Sequence, residues 1–196
     1  MNIPEYITID HWYKLQGVKQ LKSPKDLIKV IQLVTELPDK TINSMKKEDV
    51  ELLAKSIFDL FTTSQPKFWA VFHHKGIEYG FQPPSKMTLG EWIDIEEYGK
   101  NYKTKLAEMV ALLYRPITKS KWKNPIWRMK YNVGLLNEDT KAFDIYEVEE
   151  YDETTLTERA NEFKDLPIEI ALGAMAFFLT LNLKYVESMA TLAPRS

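Results

Sequence analysis

Apolar positions recur along this chain in four ways, and each predicts a different kind of element. In its first third they fall at helical spacing. Thr8 caps a short first helix carrying Ile9, Trp12, Tyr13 and Leu15, with Gly17 as its stop. Ser23-Pro24-Lys25-Asp26 marks a second start, because Ser accepts the free N–H groups of the first turn and Pro at the first helical position has no N–H to lose. Leu27, Ile28, Ile31 and Val34 continue that helix to about Glu36, before Leu37-Pro38-Asp39 breaks it. A third helix over 47–61 places Val50, Leu53, Ala54, Ile57, Phe58 and Phe61 on one stripe. Thr62 to Lys67 reads as a connector.

The pattern then changes period. Phe68-Trp69-Ala70-Val71-Phe72 and Ile77-Glu78-Tyr79-Gly80-Phe81 flank His73-His74-Lys75-Gly76, which predicts a β-hairpin. In the second run Ile77, Tyr79 and Phe81 alternate with Glu78, Gly80 and Gln82, giving one buried and one wet face. Pro83-Pro84 ends it. Thr88-Leu89-Gly90-Glu91 forms a capping box, in which the Thr88 hydroxyl accepts from the Glu91 N–H and the carboxylate reaches back to the N–H of Thr88. The helix it opens runs to about Tyr98 and stops at Gly99. Another rises from Lys103 through Leu106, Met109, Val110 and Leu113 and is closed by Pro116.

Between 117 and 152 two readings stay open. Trp127, Met129 and Tyr131 alternate with Arg128 and Lys130, as in a strand whose partner is Phe143–Val148 across Asn137-Glu138-Asp139. A long flexible arm is the competing reading. Thr155-Leu156-Thr157-Glu158 forms a second capping box, for a helix with Leu156, Ala160 and Phe163 that ends at Leu166-Pro167. The final helix, from Ile168 to about Met189, is apolar nearly all round from Ile170 to Leu181. Such a helix is either central in the core or half-buried in an oligomer interface. The expected fold is α+β and mostly α-helical, with helices packed around a small central hairpin. It is read as one domain over 1–196: a helical part (1–62), a hairpin–helix–helix centre (68–116), an arm or second hairpin (117–152) and C-terminal helices (153–196).

Composition changes this picture only by exclusion. With 196 residues, 44 % hydrophobic and 28 % charged, the chain can bury a core. A net charge of −2 argues against a broad nucleic-acid or anionic-membrane surface. The absence of cysteine excludes disulfides, thiolate metal sites and thiol catalysis. The apolar stretch from Ile170 to Leu181 is twelve residues long, short of the roughly twenty a bilayer span needs. Met1–Tyr6 lacks the basic start and apolar core of a signal peptide.

Candidate chemistry is sparse. His73 and His74 are adjacent on a strand and point to opposite faces, so they cannot easily share one ion. Glu91, Asp94 and Glu97 lie three apart on a helix, a carboxylate stripe able to bind a divalent cation or do acid–base work. A solvated helix face is the plainer reading. Asp94, between Ile93 and Ile95, is expected to be partly buried and paired with Arg115; Arg115 itself is read as satisfying carbonyls at a helix C-terminus, or as binding an anion. No phosphate-cradling glycine loop and no nucleophile elbow are present. The run from Lys119 to Arg128 is basic and aromatic, whereas Glu147, Glu149, Glu150, Asp152 and Glu153 are acidic. These are two solvated faces that attract each other, or a basic hook that docks on a partner. No catalytic, cofactor-binding or metal-binding residue is assigned.

The order of several blocks resembles a family. They are Lys75-Gly76-Ile77-Glu78-Tyr79-Gly80-Phe81, Thr88-Leu89-Gly90-Glu91-Trp92-Ile93-Asp94-Ile95-Glu96-Glu97-Tyr98 and Met109-Val110-Ala111-Leu112-Leu113-Tyr114-Arg115-Pro116-Ile117, then Glu158-Arg159-Ala160, Leu166-Pro167 and the Phe177-Phe178 helix. Over about 70–180 the chain resembles a family encoded in the structural and assembly modules of tailed bacteriophages, including crAss-like phages. That resemblance implies a non-enzymatic protein acting by protein–protein contact in the virion or in the host cytoplasm during assembly, without a cofactor. A neck or tail component comes first, with portal, neck or tail subunits or further copies of itself as partners. A tail-assembly chaperone is the alternative. A small nucleic-acid binder using 119–130 and a small enzyme using the carboxylate stripe are further classes. The interface candidates are Trp122, Trp127 and Arg128 on the arm and Phe177 and Phe178 on the last helix.

Overall fold

The computed structural model describes residues 4–18 and 20–192, so Met1–Ile3 of the N-terminal stretch lie outside the described residues. The fold is mostly helical with one small antiparallel sheet, as the periodicities predict. Its N-terminal helices are α1 (Ile9–Leu15), α2 (Pro24–Thr35), α3 (Asp39–Asn43) and α4 (Lys47–Thr63). Thr8 and Ser23 cap α1 and α2, each accepting from the third helical N–H. On α4 the inward positions Leu53, Ala54 and Ile57 are buried, and Val50 and Phe61 pack at the edge of the core. The helix α3, only five residues long, is not signalled by the pattern and sits in the break after Pro38.

The hairpin pairs β1 (Val71–His74) with β2 (Ile77–Phe81). Both histidines belong to β1, and the turn is Lys75-Gly76 alone, with φ of 48° and 81°. Two successive positive φ angles match the twist of the flanking strands in a two-residue hairpin loop. The expected wet face of β2 is a correction. Gly80 is buried because the Tyr146 ring lies where its side chain would be; an added Cβ would stand 2.5 Å from Tyr146 Cε2.

Two helices follow, α5 (Leu89–Lys100) and α6 (Tyr102–Leu113). Gly99 lies within α5, and Asn101 ends it. Leu106, Ala107 and Met109–Leu113 are all buried, so α6 is the central helix, packed on by α5 and by the two C-terminal helices. It ends where the chain turns extended. The strand β3 (Tyr114–Ser120) pairs with β2 on one side and with β4 (Tyr146–Val148) on the other, giving the sheet order β1-β2-β3-β4. Arg115 is therefore a strand residue and not a helix cap.

The strand expected within Phe143–Val148 is present as β4, but the strand expected at 126–131 and the flexible arm are both corrected. Trp127, Met129 and Tyr131 lie on a helix, α7 (Pro125–Leu136), and a 3-10 turn (Thr140–Ile145) leads into β4. The local chemistry explains it: the Asn124 side chain accepts from the Ile126 N–H, and Pro125 occupies the first helical position. The segment is a helix held at both ends by paired strands.

The chain closes with α8 (Glu153–Phe163) and α9 (Ile168–Leu192). The second capping box is also corrected. Asp152 caps α8 by accepting from the Thr154 N–H at 2.8 Å, one turn earlier, and the Thr155 hydroxyl donates to the Asp152 carbonyl. The N-terminal stretch lies beside the α8–α9 junction, where Ile9 N donates to Leu166 O at 3.0 Å and Ile168 N to Ile7 O at 2.8 Å. The buried side chains form one connected core, with Phe72, Tyr79, Phe81, Tyr114 and Phe163 in mutual ring contact. Among the described residues no helix is long and apolar enough to cross a membrane.

Two tyrosine hydroxyls are satisfied inside this core. Tyr114 donates to Trp69 O at 2.5 Å, and Tyr146 to Phe81 O at 2.9 Å. Burial pushes both well above the ordinary tyrosine value. The folded state thus keeps protons that the unfolded chain loses from about pH 10 upward, so this contribution to stability is complete below that pH and falls as pH rises past it. In an alkaline titration, part of the tyrosinate absorbance should rise only together with loss of the helical circular dichroism. A full tyrosinate signal with intact dichroism would contradict this.

Candidate functional site

The carboxylate stripe on α5 divides into three different environments. Glu91 is 1 % exposed and Arg115, facing it from β3, is 3 % exposed. The Arg115 guanidinium lies 2.7 Å from Glu91 Oε1, while the other carboxylate oxygen accepts from the Thr88 N–H. The expected Asp94–Arg115 pair is therefore corrected to Glu91–Arg115. Asp94 is half-buried and accepts from the Tyr151 hydroxyl, and Glu97 is exposed. Burial holds the Arg115 pKa below its ordinary value, and the Glu91 charge offsets this only in part.

A groove of about 560 Å³ opens over this pair, lined by Lys86, Glu91, Arg115, Glu147, Glu149 and Glu150 among others. The Arg115 Nε has no hydrogen-bond partner among the described residues. Even so, four carboxylates surround the groove, and its cations have acidic partners: Lys86 with Asp144 at 2.6 Å and Arg115 with Glu91. The arrangement clamps α5 to the sheet. A parallel clamp joins α8 to α6 and to the segment that follows β4, where Arg159 donates to Glu149 at 2.6 Å and to Ala111 O at 3.2 Å. Neither cluster places a free acid and a free base around a common point.

The two histidines separate as strand neighbours do. His73 Nε2 lies 3.6 Å from Glu78, while His74 Nε2 is 3.2 Å from Glu162 O with its ring against Phe163. Among the described residues no group of three or more His, Cys, Asp or Glu side chains is placed to hold a metal ion.

The interface candidates fall into two groups. Phe177 and Phe178 are taken up by the chain's own packing: Phe177 stacks on Phe68 with centroids 3.8 Å apart, and Phe178 is buried with its ring 6.0 Å from Trp92. On the outer side of the same helix Leu179 and Leu183 are exposed. The arm residues instead build a surface feature. Trp122 is exposed, with Arg128 over its ring at 5.5 Å and Tyr131 edge-on at 5.0 Å. Trp127 is half-buried between Lys121 at 4.7 Å and Lys130 at 5.2 Å.

The helix α7, which carries Trp127, Arg128 and Tyr131, is apolar on two faces. Its inner face, Trp127, Tyr131, Gly134 and Leu135, packs on the 3-10 turn. Gly134 permits the approach, since an added Cβ would stand 2.6 Å from Ala142 Cβ. Its outer face carries Ile126, Met129, Val133 and Leu136, which are 61 %, 64 %, 53 % and 84 % exposed. Their spacing of three, four and three residues draws one continuous line along the helix. A groove of about 520 Å³ runs along its foot, with Trp127, Met129, Val133, Asn137 and Ala142 among its lining residues. Reading 126–131 as a strand hides this line, because a period of two puts Ile126 and Met129 on opposite faces. No protein-family model, curated protein or solved structure matches the chain.

Proposed function

We propose that this chain is a non-enzymatic structural-module protein of a tailed bacteriophage, a neck or tail component that acts by protein–protein contact through the outer face of α7. One observation carries the contact reading: four large apolar side chains stand exposed in a line on a helix whose inner face is already packed. Exposed apolar residues scattered singly need no explanation, whereas a contiguous apolar line on a rigid helix is the form in which helices recognise partners. The sheet supports this role, since β3 and β4 fix both ends of the arm and lower the entropy lost on docking. The phage assignment rests on the sequence blocks set out above.

A nucleic-acid role for 119–130 is less favoured. Bases stack on open aromatic faces, and both indoles of the arm already carry cations.

The test is mass spectrometry of particles purified from virus-producing cells, with wild type beside Met129→Glu/Val133→Glu. The reading expects the chain at a fixed copy number in wild-type particles and its loss from the variant's. A chain absent from particles but needed for their formation identifies the assembly-chaperone alternative. Normal incorporation of the variant rejects the docking face. The variant itself should fold normally: both sites are exposed, so its stability should change by no more than about 0.5 kcal/mol per site. Thermal melting checks this, and a large fall in Tm would show that the outer face belongs to the core.

A further inference from the structure

The outer line of α7 is set among positive charges. Over 119–136 the sequence has four lysines, one arginine and no acid. Lys119 pairs with Glu147 at 2.7 Å. Among the described residues, no acidic group pairs with Lys121, Lys123, Arg128 or Lys130, three of which lie over indole rings instead. A second α7 is a poor partner for such a face, because self-pairing about a two-fold axis sets these cations against their own copies.

A face of opposite character lies elsewhere on the same chain. On α5, Leu89 and Ile93 are 76 % and 55 % exposed, one turn apart. Glu96 and Glu97 follow on the next turn of the same side, both exposed, Glu96 sharing its charge with Lys100 at 3.0 Å. Tyr151 ties the segment preceding α8 to α5 through Asp94, which brings exposed Glu150, Asp152 and Glu153 alongside. From 147 to 158 the sequence has six acids and no basic residue. Within one chain α5 packs on α6 and α7 packs on the 3-10 turn, so both outer faces stay open.

We propose that the α7 face of one copy docks on the α5 face of the next, with Ile126, Met129, Val133 and Leu136 covering Leu89 and Ile93 between basic and acidic rims. This rests on the reading of α7 as a docking face and names its occupant. The two surfaces differ, so the contact is head-to-tail: it closes a ring where the rotation permits and otherwise extends. Its rims are exposed charges, so it weakens as salt is added.

Light scattering after gel filtration, over a concentration series, tests it on three chains: wild type, Met129→Glu/Val133→Glu and Leu89→Lys/Ile93→Lys. Wild type should gain mass with concentration and lose it with salt. Each variant should associate more weakly by roughly thirtyfold, the size of a hot-spot loss. An equimolar mixture of the two variants should form a 1:1 dimer and nothing larger, since one intact face of each kind remains. A wild type that stays monomeric at every concentration overturns self-docking, while the particle experiment still decides whether α7 docks on a different protein. An α5 variant that associates like wild type overturns the head-to-tail contact, because α7 would then be pairing with itself or with another face.

Discussion

Glu91→Ala is expected to destabilise the protein by about 3–5 kcal/mol, the cost of leaving a buried charge without its partner. For a chain of this size the corresponding fall in Tm is roughly 6–20 °C. The residue has two roles, and they separate experimentally. As the return arm of the capping box it satisfies the Thr88 N–H; as the counter-ion of Arg115 it neutralises a guanidinium that is almost wholly out of water. Thr88→Ala removes the other half of the box and should cost only about 1 kcal/mol. Glu91→Gln keeps an oxygen for the cap and removes the charge, so it should behave like the alanine variant. Arg115→Ala leaves the opposite charge stranded, and the double variant should lose less than the sum of the singles. Denaturant unfolding of the five variants checks the set. A Glu91→Ala loss no larger than that of Thr88→Ala would show that the pair contributes little. The result also bears on function: alanine at Glu91 would unsettle the fold whether or not the stripe took part in chemistry, so Asp94 and Glu97 are the fair tests of that idea.

The second large effect is expected at Gly173. The connector before the hairpin crosses α9 there, and an added Cβ would stand 2.3 Å from both the carbonyl carbon and the oxygen of Lys67. Those are backbone atoms and cannot rotate away. Their position is fixed by Lys67 N donating to Glu169 O at 2.9 Å and by Phe68 stacking on Phe177. Gly173→Ala should therefore push the connector off the helix and cost about 1–3 kcal/mol, despite the better helix propensity of alanine. Gly90→Ala is the control. It also lies in a helix, but its nearest neighbour is the Thr88 hydroxyl at 4.0 Å, so it should be neutral or stabilising by about 0.5–1 kcal/mol. Equal stability of Gly173→Ala and wild type would contradict the close crossing.

These two sites show where the sequence was legible. The caps at Thr8, Ser23 and Thr88 are local, so three or four residues suffice to read them, and all three open helices. Glu91 was readable as half of a capping box. Its ion pair was not, because Arg115 lies on the strand that follows the intervening helix. Pro116 reads as a helix stop, and it is a strand residue opposite Tyr79. Gly173 lies in an apolar helix where nothing local announces the crossing backbone. The segment at 126–131 reads as a strand for a different reason. An amphipathic helix shows its period through its polar side, and α7 has apolar residues on both sides, so fragments of its pattern match a strand. Asn124-Pro125 carried the correct signal, a side-chain cap followed by proline. The candidate site is thus only half visible in the sequence: the basic and aromatic composition marks Trp122, Trp127 and Arg128, while the line from Ile126 to Leu136 exists only on the helix.

A photo-reactive amino acid at position 133, introduced in virus-producing cells, tests the docking face most directly. The control carries it at position 164, the partly exposed residue that caps α8 at its C-terminus. Discrete cross-linked species are expected from position 133 and none from position 164, with peptide mapping placing the partner's side either on α5 of another copy or on a different protein. Position 133 giving no more adduct than position 164 would contradict the proposal that the outer face of α7 docks on a partner.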